Sequence, residues 1–277
     1  MTIGVFDSGI GGLAFFQELD RYYPSLSRVY LGDHANLPYG EKSPEEIARL
    51  TYIGVIKLAD LGCTRIVIAC NTASILAVPY IKERLHDSKY QIEIIDISSP
   101  TIRFLKSQLN SVNCSFSKSV GEKWRVGVFA TSATAQSEYF KTEIKQLKNT
   151  NVQQVACHQL VEFIENARSV EDMSKCICTY VGDLCRKFSG EQPHIVLLGC
   201  THYSLVLDFF RKALGDECKI LCQERLLMEY MHDLDVFSTC TSKPSIRRLL
   251  TTGDKNKANT AAKCLRGDNF FEFEHFN

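Results

Sequence analysis

The chain carries no surplus charge: 32 Lys and Arg residues balance 32 Asp and Glu, and no basic run exceeds a pair such as Arg247-Arg248. Nucleic-acid binding by electrostatic capture needs a basic excess, so a polyanion is excluded as the expected partner. Uninterrupted apolar runs are short, well below the roughly 18 residues that span a bilayer. The first residues, Met1-Thr-Ile-Gly-Val-Phe-Asp7, have neither a basic segment nor the apolar stretch of a secretory signal. A cytoplasmic protein without membrane association is expected, with a small molecule as its partner and a homodimer left open.

Paired metal motifs are also missing. The close cysteine pairs are Cys176-x-Cys178 and Cys218-x3-Cys222, and neither is matched by a second pair or a His-x3-His segment. In a reducing cytosol the 12 cysteines are read as free thiols, most of them small core residues. The length of 277 residues fits one large domain or two smaller ones.

What is present is an alternation of short β-branched runs with longer amphipathic stretches, the pattern of parallel strands joined by crossover helices. The strands are expected at 3–6, 29–31, 66–69, 92–95, 125–129, 152–156, 195–198 and 218–221. Helices are expected at 44–61, 78–86, 134–148, 169–188 and 204–214, and an exposed loop at 107–121. An α/β fold follows.

The chain also echoes itself. Ile3-Gly-Val-Phe-Asp-Ser recurs as Val126-Gly-Val-Phe-Ala-Thr, and Ile66-Val-Ile-Ala-Cys-Asn-Thr recurs as Val196-Leu-Leu-Gly-Cys-Thr-His, in the same order and at nearly the same spacing. Duplicated βα units would give two pseudo-symmetric, doubly wound domains with parallel sheets and a cleft between them. The expected division assigns 1–97 plus 208–277 to the first domain and 98–207 to the second. Each echo ends where a buried strand meets small polar residues, the edge at which open α/β sheets bind ligands.

Cys70 and Cys200 then enter one cleft from opposite sides. A thiol titrates near 8.5, close enough to neutrality for one to act as thiolate base while the other is thiol acid. Removing a proton from one face and returning one to the other inverts a stereocentre. The turn Asp7-Ser8-Gly9-Ile10-Gly11-Gly12 follows a strand, so its backbone N–H groups are expected to meet an anion, and it matches neither a dinucleotide nor a P-loop pattern. Gly32-Asp33-His34-Ala35-Asn36-Leu37-Pro38-Tyr39-Gly40 is a second strand-following loop. A hydrolase or acyltransferase with Cys200 as nucleophile and His202 as base is a competing reading, but it leaves Cys70 without a role.

These motifs, with Ala69-Cys70-Asn71-Thr72-Ala73-Ser74, Ala130-Thr131-x-x-Thr134-x-x-Ser137 and Leu198-Gly199-Cys200-Thr201-His202-Tyr203, resemble those of the bacterial glutamate racemases, within the aspartate/glutamate racemase superfamily, from Ile3 to Gly253. The resemblance implies interconversion of L- and D-glutamate without cofactor or metal, supplying D-glutamate for peptidoglycan. It implies Cys70 and Cys200 as the acid/base thiols, with Asp7 supporting Cys70, His202 supporting Cys200 and Glu165 as a further catalytic carboxylate. Asp7, Ser8, Tyr39, Gly40, Asn71, Thr72, Thr131, Thr134, Thr201 and His202 would line the substrate. Aspartate racemase and a regulatory binding protein are the alternatives that the superfamily implies. Relatives that need a cell-wall nucleotide precursor carry an N-terminal extension, so the early first strand here implies independence from one. The chain departs from the family pattern at Glu162, where proline is usual, at Glu93-Ile-Ile-Asp-Ile, and at Gln223-Glu224, where Asp-Ser is usual.

Overall fold

The computed structural model describes residues 2–86, 88–110, 122–234, 246–266 and 272–276. Its strands are β1 (Thr2–Asp7), β2 (Ser27–Gly32), β3 (Arg65–Ile68), β4 (Glu93–Asp96), β5 (Trp124–Ala130), β6 (Thr150–Ala156), β7 (Ile195–Gly199), β8 (Lys219–Leu221), β9 (Arg247–Thr251) and β10 (Glu274–His275). The helices of the first half are α1 (Leu13–Tyr22), α2 (Pro44–Asp60), α3 (Asn71–His86) and α4 (Ser98–Asn110). Those that follow are α5 (Ser132–Gln136), α6 (Tyr139–Lys145), α7 (Leu160–Glu165), α8 (Val170–Lys187), α9 (Thr201–Ser204), α10 (Leu207–Leu214), α11 (Gln223–Asp233) and α12 (Lys255–Arg266).

Two sheets form, both with parallel pairing throughout: β10-β9-β2-β1-β3-β4 and β6-β5-β7-β8. The segment β2-β1-β3-β4 has the same order as the whole second sheet, so the echo in sequence is an echo in topology. Central strands are buried on both faces, which is why β1, β5 and β7 read as continuous apolar runs rather than alternating ones. The echoed glycines share a reason. A Cβ on Gly4 would stand 3.1 Å from Leu58 of α2, and one on Gly127 would collide with Leu184 of α8, so each glycine lets a crossover helix lie close on its sheet.

Local signals start the longer helices. Ser43 caps α2 by accepting the Glu46 N–H at 3.2 Å, with Pro44 at the first position and Glu45 and Glu46 in the first turn. Ser169 caps α8 in the same way through the Asp172 N–H. One apolar cluster runs from Ile3, Val5, Phe16 and Val67 of the first half to Val196, Leu198 and Phe210 of the second. Leu227, Met228 and Met231 of α11 belong to the same cluster and lean on α1, which joins the halves along one side.

The structure redraws several boundaries. α3 begins at Asn71 and runs through Pro79, so it starts a full two turns before the expected position 78. The expected helix 134–148 is two helices, broken where Glu138 takes a left-handed φ of 52°. Residues 107–110 of the expected loop are the last turn of α4, and 111–121 lie outside the described residues. β8 pairs with β7 (Val196 opposite Ile220), so residues 219–221 sit in the second sheet although the expected division placed 208–277 with the first. An edge strand of three residues carries no mark of which sheet will accept it. By sheet, the chain returns to the first half only after Leu221, through α11 and then β9 on β2.

Candidate active site

The loops after β1, β2, β3, β5, β6 and β7 meet at the carboxyl edges of the two sheets. Cys70 follows β3 and Cys200 follows β7, at matching places in matching sheets, and each is 5% exposed. A charge on Cys200 is felt at Cys70, whose thiol it raises.

Around Cys70, the thiol points at Ser8 Oγ at 3.6 Å. Burial pushes this thiol up to about 12, and the nearby Asp7 carboxylate pushes the same way, against the Ala73 N–H and Ser8. Asp7, at the end of β1, is fully buried. Its Oδ1 accepts the Gly9 N–H at 2.9 Å and its Oδ2 accepts the Thr201 hydroxyl at 3.0 Å, so it reaches Cys70 by charge and the second half by hydrogen bond. Burial raises the Asp7 carboxyl above its usual range even though His202, Gly9 and Thr201 oppose it.

Around Cys200 the groups form a chain. Cys200 Sγ lies 3.8 Å from His202 Nδ1, and His202 Nε2 lies 2.6 Å from Glu165 Oε1. The same Glu165 oxygen accepts the Ile10 N–H at 2.9 Å. Burial alone would lower the His202 pKa, but its hydrogen bonds with Cys200 and Glu165 outweigh burial and raise it well above the usual imidazole value. Burial would likewise raise the Glu165 carboxyl, and His202 outweighs it and holds the group below its usual value. The imidazole is thereby kept cationic beside the Cys200 sulfur.

The loop from Asp7 to Gly12 does not leave its first N–H groups for a ligand, as the sequence had suggested: Gly9 gives its proton to Asp7 and Ile10 gives its proton to Glu165. Its glycines serve close approach. A Cβ on Gly9 would land on Glu165, and one on Gly11 would stand 2.5 Å from Thr201 Oγ1 and 2.6 Å from His202 Nδ1.

Thr72, Thr131 and Thr134 bring three hydroxyls within 2.9 to 3.1 Å of one another, across the two halves. Gly40 lets the 39–41 turn reach them, since a Cβ there would meet Thr131 at 2.6 Å. Tyr39 is buried nearby but turns its hydroxyl onto Asp33 Oδ2 at 2.6 Å. Asp33 also accepts Asn36 and the Thr252 hydroxyl, making it the brace of this loop, a role that nothing in its sequence neighbourhood announces.

The departures from the family pattern find places too. Glu162 is an exposed residue in the first turn of α7. Asp96 accepts Ser98 and Ser99 and so starts α4. Gln223 is buried and takes a hydrogen bond from the Asn71 amide nitrogen at 2.7 Å, which makes it a site neighbour absent from the sequence-derived set.

Both thiols are buried. Among the described residues, no group of three or more His, Cys, Asp or Glu could hold a metal ion, and no helix is long and apolar enough to cross a membrane.

The sequence profile of the Asp/Glu/Hydantoin racemase family matches residues 3–222. A glutamate racemase of Phenylobacterium zucineum is 33% identical over 96% of this chain and 97% of its own length, and one of Paracoccus denitrificans is 34% identical over 95% of each. The crystal structure of a Francisella tularensis glutamate racemase in complex with D-glutamate superposes with a TM-score of 0.81 at 25% identity, covering 100% of this chain and 97% of that one. With the fold, the repeated sheet and the length of the match in agreement, the chain belongs to the Asp/Glu/Hydantoin racemase family, among its glutamate racemases.

Proposed function

We propose that Cys70 and Cys200 are the two proton-transfer groups of a glutamate racemase that works without a cofactor, on a substrate held between them. The observation that carries this reading is the placement of two buried thiols at equivalent strand ends with opposite surroundings. Cys70, beside a carboxylate and away from water, is held as a thiol and so is ready to donate. Cys200 stands against the cationic imidazole of His202, surroundings suited to a group that removes a proton.

In the L-to-D direction Cys200 takes the α-proton of L-glutamate and Cys70 returns a proton to the opposite face. The reverse direction starts at Cys70. Because the α-proton of an amino acid is weakly acidic, the developing carbanion needs donors preorganised around its carboxylate. The hydroxyls of Thr72, Thr131 and Thr134 are suited to that role in a buried site. Asp7 and Thr201 lie where they can hold the ammonium end, and Ser8 and Gly40 complete the lining. Tyr39, committed to Asp33, serves by bracing the loop. The product would supply peptidoglycan synthesis in the cytoplasm.

The test is to incubate the purified protein with L-glutamate in D2O and follow circular dichroism together with α-deuteration. Loss of dichroism with one deuterium gained at Cα is expected, and dialysis against a strong chelator should leave the rate unchanged. Turnover of aspartate in place of glutamate would move the assignment to the sister activity, and a requirement for pyridoxal phosphate would sink the mechanism.

A further inference from the structure

Asn71 opens α3 one residue after Cys70, and its amide oxygen is buried without a hydrogen-bond partner. Its amide nitrogen donates to Gln223 Oε1 at 2.7 Å, and Gln223 Nε2 donates to Thr101 Oγ1 at 2.8 Å. The Thr101 proton goes to the Ile97 carbonyl at 2.9 Å, within α4 and its cap. All three side chains are buried.

Each bond forces the direction of the next. A threonine hydroxyl has one proton, and once it is spent on Ile97 the oxygen can only accept. Gln223 must therefore turn its NH2 to Thr101 and its carbonyl to Asn71. Asn71 must then turn its NH2 to Gln223, which leaves Oδ1 as a bare acceptor beside Cys70. A buried acceptor calls for a donor. Glutamate at neutral pH offers carboxylate oxygens, which cannot donate, and one donor group, the α-ammonium.

We infer that Thr101 and Gln223 are positioning residues that fix the polarity of the Asn71 amide, so that Asn71 Oδ1 receives a hydrogen bond from the substrate's ammonium group. The inference rests on the substrate reading above. It gives a defined role to Gln223, because a carboxylate in its place could accept from Asn71 but could not donate onward to Thr101. The relay also ties α11, on the chain's return from the second sheet, to the residue beside the first thiol.

The test compares KM for L-glutamate with the inhibition constant of glutarate, which keeps both carboxylates and lacks the ammonium. Gln223→Leu should raise KM about tenfold or more, while glutarate inhibition moves less than about twofold, because only the ammonium contact depends on the relay. Thr101→Val should act in the same direction, and Thr101→Ser, which keeps the acceptor, should restore KM to near the unmodified value. The threonine pair carries the test even if Gln223→Leu does not fold. Equal weakening of glutamate and glutarate, or failure of Thr101→Ser to differ from Thr101→Val, would overturn the relay while leaving an active racemase. No turnover of glutamate by the unmodified protein would overturn the substrate reading and the relay with it.

Discussion

Cys70 and Cys200 occupy the same place in the four-strand order that the two sheets share, yet their surroundings share almost nothing. The first has a serine hydroxyl and a buried carboxylate for company, and the second has an imidazole backed by a glutamate. The repeated strand order supplies two thiols at equivalent strand ends; divergence of the loops gives them different neighbours, a carboxylate on one side and an imidazole on the other.

The largest effect comes from deleting either side of that pair. Cys70→Ser and Cys200→Ser should each reduce racemisation by about 10³-fold in both directions, within the range for loss of a general acid or base. A glutamate analogue with a leaving group on Cβ needs only the first proton abstraction. Cys70→Ser should therefore still eliminate from the L-analogue, and Cys200→Ser from the D-analogue. Elimination from the same enantiomer by both variants would show that the thiols do not face each other across the substrate.

A smaller effect follows from making the second side more like the first. Glu165→Gln removes the partner that keeps His202 cationic, and the rate should fall about ten- to a hundredfold, the range for losing an imidazole's outer partner at ligating histidines. The high-pH limb of the rate profile should move to lower pH, since His202 then loses its proton earlier. Stability has a matching window. His202, raised from 6.5, contributes fully below that value, and its share is lost as pH rises through the raised one. Glu165, lowered from 4.5, contributes above that value, and its share is lost as pH falls through the lowered one. The advantage of the unmodified protein over Glu165→Gln in thermal melts should thus be greatest between pH 4.5 and 6.5.

Gly11→Ala tests the seam between the halves. Its Cβ would stand 2.8 Å from the His202 backbone nitrogen, so a loss of about 1–3 kcal/mol in stability is expected from overpacking, with kcat falling more than KM rises. The smallest effect is at Cys218, a buried thiol remote from both sites. Cys218→Ala should cost roughly 1 kcal/mol in a denaturant melt and leave turnover untouched.

Most of the eight strands of the repeated core were legible because each is a short run rich in Val, Ile, Leu and Phe; β6, with Gln153 and Gln154 between its valines, is the exception. β9 was not: Arg247 and Arg248 open it, and its value as a strand comes from lying along β2, with Arg247 paired to Asp20 of α1. The early start of α3 was hidden because Asn71, Thr72 and Ser74 are weak helix formers in isolation and Pro79 follows. Their helical state is imposed from outside, in part by Ser74 bonding back to Ile68 and across to Ile97. At the site, the family resemblance named Glu165, which the structure sets against His202. The resemblance could not foretell that Tyr39 would turn to Asp33, a choice made by the folding of one loop, or that Gln223 would reach Asn71, a partner 152 residues away chosen by tertiary packing.

The late strand β9 carries a consequence for the order of synthesis. All four strands of the second sheet have been synthesised once Leu221 is added, whereas the first sheet, begun earlier, still lacks β9 along β2 and the Thr252 hydroxyl that braces Asp33 and, through it, Tyr39. The half translated first is therefore the half finished last. During elongation the nascent chain can hold a complete second sheet beside an open first one, and the loops on the Cys70 side of the proposed site take their final form only when residues 247–252 arrive.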